Sequence, residues 1–174
     1  LYFNDQRKLG WVKFMRSEQV ADEPFMVKLG PEALAEDFTF EEFRARIQKR
    51  PRTSIKAAIL DQTVLVGVGN IYADEGLFAA RIHPSTLVEK VSSVKLKRLY
   101  AALREVMQLS ISLGGSSDKN YVDAEGRKGS YLTFAKVFRR EGQACPNCGR
   151  AVEKIRVAGR GTHVCAHCQP KVRT

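Results

Sequence analysis

Leu60-Asp61-Gln62-Thr63-Val64-Leu65-Val66-Gly67-Val68-Gly69-Asn70-Ile71-Tyr72-Ala73-Asp74-Glu75 is the stretch on which the fold turns. Leu60 to Gln62 finish a helical run, Gly67 and Gly69 punctuate an apolar turn, and Asn70 is expected to cap a new helix. Glycine removes the side chain where a turn must be tight or where a ligand backbone must come close. The free N–H groups of a helix N-terminus make a phosphate seat, and the Asn70 amide adds a donor to it. An ordinary packing joint between two helices fits the same residues, and the local sequence leaves both readings open.

Helical signals continue on either side. Upstream, Thr39-Phe40-Glu41-Glu42 fits a capping box, and Phe40, Phe43 and Ile47 recur at helical spacing until Arg50-Pro51 stops the run. A second run, Ile55 to Gln62, follows a Ser54 cap. Downstream, Leu96, Leu99, Leu103 and Val106, with Tyr100 and Met107 beside them, form the stripe of a long amphipathic helix from about Ser93 to Leu113. Gly114-Gly115 ends it with residues that tolerate left-handed geometry. These stripes are core. No internal repeat or low-complexity tract interrupts them.

The last third is organised around cysteine. Cys145, Cys148, Cys165 and Cys168 stand as C-x2-C, sixteen residues, C-x2-C. That spacing brings four thiolates to one tetrahedral point suited to a structural zinc ion, with no position left open for water. Two disulfides are the alternative, disfavoured in a reducing compartment. His163 and His167 are unneeded as ligands beside four cysteines. Between the pairs, Val152 to Val157 and Thr162 to Cys165 read as a hairpin turned by Ala158-Gly159-Arg160-Gly161. Arg160 is then expected at the tip, as a guanidinium held out to a phosphate or as a solvated turn residue.

Composition bounds the rest. The 174 residues are 44% apolar and 28% charged, which excludes wholesale disorder and collagen-like repeats. No apolar run approaches eighteen residues and no charged-then-apolar leader opens the chain, so a soluble protein is expected. The net charge of +10 is uneven: +1 over residues 1–54, +2 over 55–113 and +7 over 114–174. A local basic excess attracts a polyanion, here in the segment that carries the cysteines.

Three segments in order carry a resemblance. LDQTVLVGVGNIYADEGLF, with the preceding Lys56, resembles the helix-two-turns-helix signature of the formamidopyrimidine-DNA glycosylase and endonuclease VIII family. CPNCGRAVEKIRVAGRGTHVCAHCQ resembles that family's C-terminal zinc finger, and FNDQRKLGW resembles its F-x-D-x-R-x-F-G element. The resemblance implies base-excision repair: a bifunctional glycosylase and abasic-site lyase that flips an oxidised base out of duplex DNA and cleaves the strand through a Schiff base. It further implies that Arg7 faces the orphaned base, Lys8 touches phosphate, and Leu9 stands at the position of a phenylalanine wedge. Gly69, Asn70 and Arg160 would clamp the backbone around the flipped nucleotide, with Lys56 supporting the same surface. Glu75 resembles an acid near the family's active site, and a helix-surface carboxylate is its plain alternative.

Gly114 to Val122 looks like the lesion-recognition loop of the formamidopyrimidine branch, made of Ser116, Ser117, Asp118, Lys119, Asn120 and Tyr121. In that branch the carbonyl at the Ser116 position accepts from N7–H of 8-oxoguanine, and amides from about Asp118 to Tyr121 receive O6. Oxidised purines are therefore the expected lesions.

The family's nucleophile is an N-terminal proline followed by glutamate, and this chain opens Leu1-Tyr2-Phe3. No catalytic residue is therefore expected in it. The expectation is the C-terminal part of a glycosylase, one that binds DNA without excising bases. A noncatalytic damage-sensing module is the alternative function, and a zinc-ribbon protein for RNA is a more distant one.

The expected fold is mainly α with a small β part. Residues 1–28, with strands at Leu1–Phe3 and Gly10–Met15, would end a β-sandwich. Residues 29–134 would form the helix-two-turns-helix domain, with the lesion loop at 114–123, and 135–174 the zinc finger. The expected state is a cytoplasmic, nucleoid-associated bacterial monomer that holds one zinc ion and meets double-stranded DNA carrying an oxidised base or abasic site.

Overall fold

Local capping sets where the helices begin. In the computed structural model, which describes residues 3, 8–117, 122 and 125–172, helix α1 is a single turn, Pro24–Val27. Helix α2 (Phe40–Gln48) starts at Thr39, whose side chain accepts from the Glu42 N–H. Helix α3 (Ile55–Leu60) starts at Ser54, which accepts from Ala57 N–H, and ends two residues sooner than its apolar run suggests. Helix α4 spans Asn70–Ala79, and helix α5 spans Ser93–Ser112 behind the Ser92 cap. A two-stranded antiparallel hairpin follows, β1 (Glu153–Val157) with β2 (Arg160–Val164).

Helices α2 to α5 enclose the main core. Phe43 and Ile47 of α2, Ile59 of α3, Leu77 of α4 and Leu96, Leu99 and Leu103 of α5 are all nearly inaccessible. A smaller cluster of Phe78, Val137, Cys145, Val152 and Cys165 lies under the hairpin. Helix α4 serves both, with Leu77 in one and Phe78 in the other. Residues Ala73, Asp74, Glu75, Gly76, Leu77 and Phe78 are buried in unbroken succession, so α4 has no solvent face to make it amphipathic.

Close approach of α4 and α5 depends on Gly76. A Cβ there would lie 2.6 Å from Leu103 Cδ2 and 3.1 Å from its Cγ. Replacing Gly76 with alanine gains about 1 kcal/mol of helix propensity and costs about 1–3 kcal/mol of overpacking. A net loss near 1 kcal/mol is expected in urea unfolding. A gain would show that Leu103 swings aside freely.

The apolar turn between α3 and α4 is a built object. Gln62 Nε2 donates to the carbonyls of Leu60 and Val68, and Gln62 Oε1 accepts from Gly67 N–H. Asp61 accepts from the N–H and hydroxyl of Thr63 and pairs with Arg50 at 2.9 Å. The Thr63 bonds and the Arg50 charge together hold the Asp61 carboxyl below its ordinary value, against the opposing effect of partial burial. Gly67 has φ +91°, a conformation that favours glycine.

Three expectations need correction. Among the described residues, 8–16 form no strand: Trp11, Val12 and Phe14 lie exposed on an extended segment. Trp11 instead packs edge-on against Phe25, and Lys13 pairs with Glu23. The expected strand at Leu1–Phe3 falls largely outside the described residues. Asn70 is not the cap of α4: Gly69, with extended backbone, holds that position, and Asn70 is the first helical residue. Arg160 is not the hairpin tip either. The turn is the two-residue pair Ala158-Gly159, both at positive φ, and Arg160 opens β2 opposite Val157.

Candidate nucleic-acid interface and metal centre

Two acids in the middle of buried α4 need partners, and both find them outside the helix. Asp74 is wholly inaccessible and accepts at both oxygens. Its Oδ1 takes Lys56 Nζ at 2.6 Å, and its Oδ2 takes His163 N–H at 2.9 Å with His163 Nδ1 at 3.1 Å. Lys56 is equally buried and also donates to Thr162 Oγ1 at 2.7 Å and to the Gly161 carbonyl at 3.3 Å. Burial pushes the Lys56 ammonium below its ordinary pKa, Asp74 opposes that shift, and the nearby Arg160 charge adds to it.

The second acid, Glu75, is a backbone acceptor. Its oxygens receive the N–H groups of Lys136, Val137 and Phe138 at 2.8–2.9 Å. It is neither a surface carboxylate nor an open acid: it holds α4 to the segment that enters the cysteine region. Its charge, after burial, raises the pKa of the Tyr131 hydroxyl.

Above this buried layer, Asn70 Nδ2 donates to the Gly161 carbonyl at 3.0 Å. The N-terminus of α4 is thereby fixed against β2, one residue from the exposed Arg160. No atom lies within 4 Å of a Cβ built on Gly69, so the approach to the first turn of α4 is open. Beside it is an open cleft of about 690 Å³ lined by Asn70, Arg139, Glu141, Lys154, Gly161 and His163, among others. Across it, His163 Nε2 sits 3.3 Å from a Glu141 oxygen, close enough for ionic attraction but out of line for a hydrogen bond.

Of the residues named from the sequence, the structure joins Lys56, Gly69, Asn70 and Arg160. Lys56 reaches that surface only from beneath. Lys8, at φ +54°, and Leu9, 70% accessible, are exposed on the extended segment. Arg7 lies outside the described residues, as do Asp118, Lys119, Asn120 and Tyr121. The base of that loop is described: Ser116 bridges to Ser130, and Ser117 Oγ accepts from Gly129 N–H at 2.8 Å. Sequence reasoning does not single out Asp74, Thr162 and His163 as members of this network. An acidic pair inside an otherwise apolar helix is the available signal, though it does not name the partners.

The four cysteines meet a direct geometric test. Their sulfurs lie within 4.8 Å of one another, with Cys145–Cys168 at 3.9 Å and Cys148–Cys165 at 3.5 Å. Tetrahedral zinc at about 2.3 Å from each sulfur needs sulfur–sulfur edges of about 3.8 Å. The residues fit the ion. Burial raises the Cys168 thiol, and the neighbouring thiols help push it to about 12. Cys145 is lowered to about 7: burial opposes the shift, and the N–H groups of Asn147 and Cys148, together with hydrogen bonds to the Cys165 and Cys148 thiols, overcome it. A dication in their midst favours the thiolate at every position.

A short helix, two turns and a second helix, locked to a four-cysteine zinc hairpin through buried charge, define a two-part module. Residues 29–121 match the formamidopyrimidine-DNA glycosylase H2TH domain, and residues 142–171 match the zinc finger found in FPG and IleRS. A formamidopyrimidine-DNA glycosylase of Thermus thermophilus is 44% identical over 171 residues, 97% of this chain and 64% of that protein. That of Listeria innocua is 40% identical over 169 residues, 97% of this chain and 62% of that protein.

The crystal structure of MutM (Fpg) from Thermus thermophilus superposes with a TM-score of 0.82 at 42% identity, over 91% of this chain and 59% of that one. A Lactococcus lactis Fpg in complex with abasic-site DNA gives 0.81 at 39%, over 89% and 56%. The chain belongs to the formamidopyrimidine-DNA glycosylase family, and it spans less than two thirds of the length of these relatives. Among the described residues, no helix is long and apolar enough to cross a membrane.

Proposed function

We propose that this chain is the DNA-clamping part of a base-excision glycosylase that removes oxidised purines and cleaves the abasic strand. The observation that carries it is the Asn70–Gly161 hydrogen bond. It sets the open N-terminus of α4 and the exposed Arg160 side by side, so that helix N–H groups and a guanidinium can take adjacent phosphates. Lys56 and Asp74 fix that spacing from below without touching the ligand. Solved relatives support the choice of partner: Lactococcus lactis Fpg is held in one complex by abasic-site DNA and in another by Fapy-dG DNA.

The resemblance of residues 114–122 to the family's lesion-recognition loop supports a preference for 8-oxoguanine and formamidopyrimidine. The Schiff-base chemistry belongs to an N-terminal proline–glutamate pair in the family.

Borohydride trapping on a duplex with one abasic site, beside a binding titration, tests the division of labour. Salt-dependent binding without a trapped adduct is expected. An adduct would place a reactive amine within these residues and overturn the assignment. Arg160→Ala is expected to weaken binding to every sequence alike and to lower the slope of log K on log salt by about 0.9. Asn70→Ala is expected to cost about 1–3 kcal/mol of binding. An unchanged slope and affinity in both variants would return this joint to a packing role.

A further inference from the structure

The C-terminal end of helix α4 is as closely built as its N-terminal end. It closes with Ala80 as its cap and Arg81 beyond, where Arg81 N–H bonds the Phe78 carbonyl and Ile82 N–H bonds the Leu77 carbonyl. This closure requires left-handed backbone at the residue after the cap, and Arg81 has φ +56°. Glycine is the unstrained choice at such a position, so the arginine is kept against a backbone cost.

Its surroundings give that side chain a use. Arg81, Lys95, Arg98 and His167 line a cleft of about 450 Å³ between the start of α5 and the cysteine knuckles. Lys90 and Lys171 line a neighbouring one of about 190 Å³, and Pro170 and Lys171 connect the two through the chain. No carboxylate, phenylalanine, tyrosine or tryptophan lines either cleft. Among the described residues, none of these five lysines and arginines makes an ion pair. Arg46, Arg50, Lys56 and Lys154 elsewhere each hold a carboxylate.

We propose that Arg81, Lys90, Lys95, Arg98 and Lys171 form a second polyanion-binding face that takes the phosphate backbone of another DNA segment. The face is separate from the first. Asn70 and Arg81 stand at opposite ends of a ten-residue helix, about 15 Å apart, and the two clefts share no lining residue. Spaced cations without an aromatic anchor suit a phosphate backbone, whereas a protein partner is ordinarily gripped by buried aromatic or arginine anchors in pockets. Such a face lets the protein hold two duplex segments at once, and it stands independently of what the α4 N-terminus binds.

The test uses the zinc-loaded chain in two backgrounds. With Asn70→Ala and Arg160→Ala disabling the first face, a short undamaged duplex is expected to bind still at low salt. Adding Arg81→Gln, Lys95→Gln and Arg98→Gln is expected to weaken that binding sharply, with the salt slope falling by about 0.9 per side chain. In the otherwise native chain, the same three changes are expected to leave the first duplex bound while energy transfer to a second, differently labelled duplex disappears.

If the native chain binds one duplex and never two, the second face is overturned while the first stands. If polyglutamate binds the second face more tightly than DNA, the partner is an acidic protein and the assignment is wrong. Arg81→Gly separates function from folding: relief of the backbone is expected to raise the thermal midpoint by about 2–4 °C while capture of the second duplex weakens. A lower midpoint would make Arg81 a structural residue instead.

Discussion

Lys56→Met is expected to lower the unfolding free energy by about 3–5 kcal/mol, the cost of leaving one member of a buried ion pair uncompensated. Lys56 and Asp74 have no accessible side-chain surface, and methionine fills the space of the lysine stem while removing its charge. Asp74 Oδ1 would lose its 2.6 Å donor, and the Gly161 carbonyl and Thr162 hydroxyl would lose theirs. These bonds join α3, α4 and β2, so the loss also loosens the hairpin that carries Arg160, and DNA affinity is expected to fall along with stability.

Lys56→Met combined with Asp74→Leu provides the control. It removes both charges and is expected to lose less than Lys56→Met alone, because no orphaned carboxylate remains. Recovery will be incomplete, since Asp74 Oδ2 also serves the N–H and ring of His163. Urea unfolding of Lys56→Met, Asp74→Leu and the double variant decides the matter. A Lys56→Met loss below about 1 kcal/mol, or a double-variant loss equal to the sum of the singles, would mean that the two charges act independently.

What could be read from the sequence follows the range of each interaction. Thr39, Ser54 and the glycine pair after α5 act on residues within one turn, and the structure keeps all three as signals. The cysteine spacing is nearly as local, and the four sulfurs converge as it implies. Errors arise where two local patterns compete. Asn70 and Gly69 are both acceptable caps, and the extended backbone selects Gly69. Gly159 and Gly161 both suggest a turn, and the register selects the tighter Ala158-Gly159 pair. The apolar residues from Trp11 to Met15 suit a strand, but composition alone supplies no partner strand, and among the described residues they belong to none.

The candidate site is least legible because its parts are distant in the chain. Lys56 meets Asp74 across 18 positions and Thr162 across 106. Nothing near Lys56 in sequence distinguishes a lysine that will lie on the surface from one that will be sealed beneath it. Resemblance groups Lys56 with Asn70 and Arg160, and only the fold shows that it lies sealed beneath them. Gly129 is a similar case: a Cβ there would sit 2.1 Å from the Gly115 carbonyl, and no local pattern in the sequence anticipates so close a crossing.

Removing zinc is expected to unfold residues 142–171 and to expose the charge network of the helical body. The cluster under the hairpin holds only Phe78, Val137, Cys145, Val152 and Cys165 as buried members, two of them metal ligands. So small a core does not offset the ordering entropy of some thirty residues. Structural zinc contributes about 10–16 kcal/mol in isolated finger peptides, so the ion is the dominant stabilising element here. Once the hairpin leaves, Lys56 loses Thr162 and Gly161, Asp74 loses His163, and Asn70 loses Gly161. The helical body keeps its own core, with Leu96, Leu99 and Leu103 packed on α2 and α4, and is expected to persist at reduced stability.

Hydrogen exchange before and after chelation separates these parts. Protection is expected to vanish for amides of Glu153–Val157 and Arg160–Val164 and to survive within Ser93–Ser112. One zinc per chain and four newly reactive thiols are expected to appear together. Cys165→Ser should reproduce the exchange pattern without chelator, because the buried serine oxygen is a poor replacement for thiolate in a four-sulfur set. Hairpin amides that stay protected after metal loss would show that Lys56, Asp74 and Asn70 alone hold the finger, and the ion would then be an accessory to a fold already made.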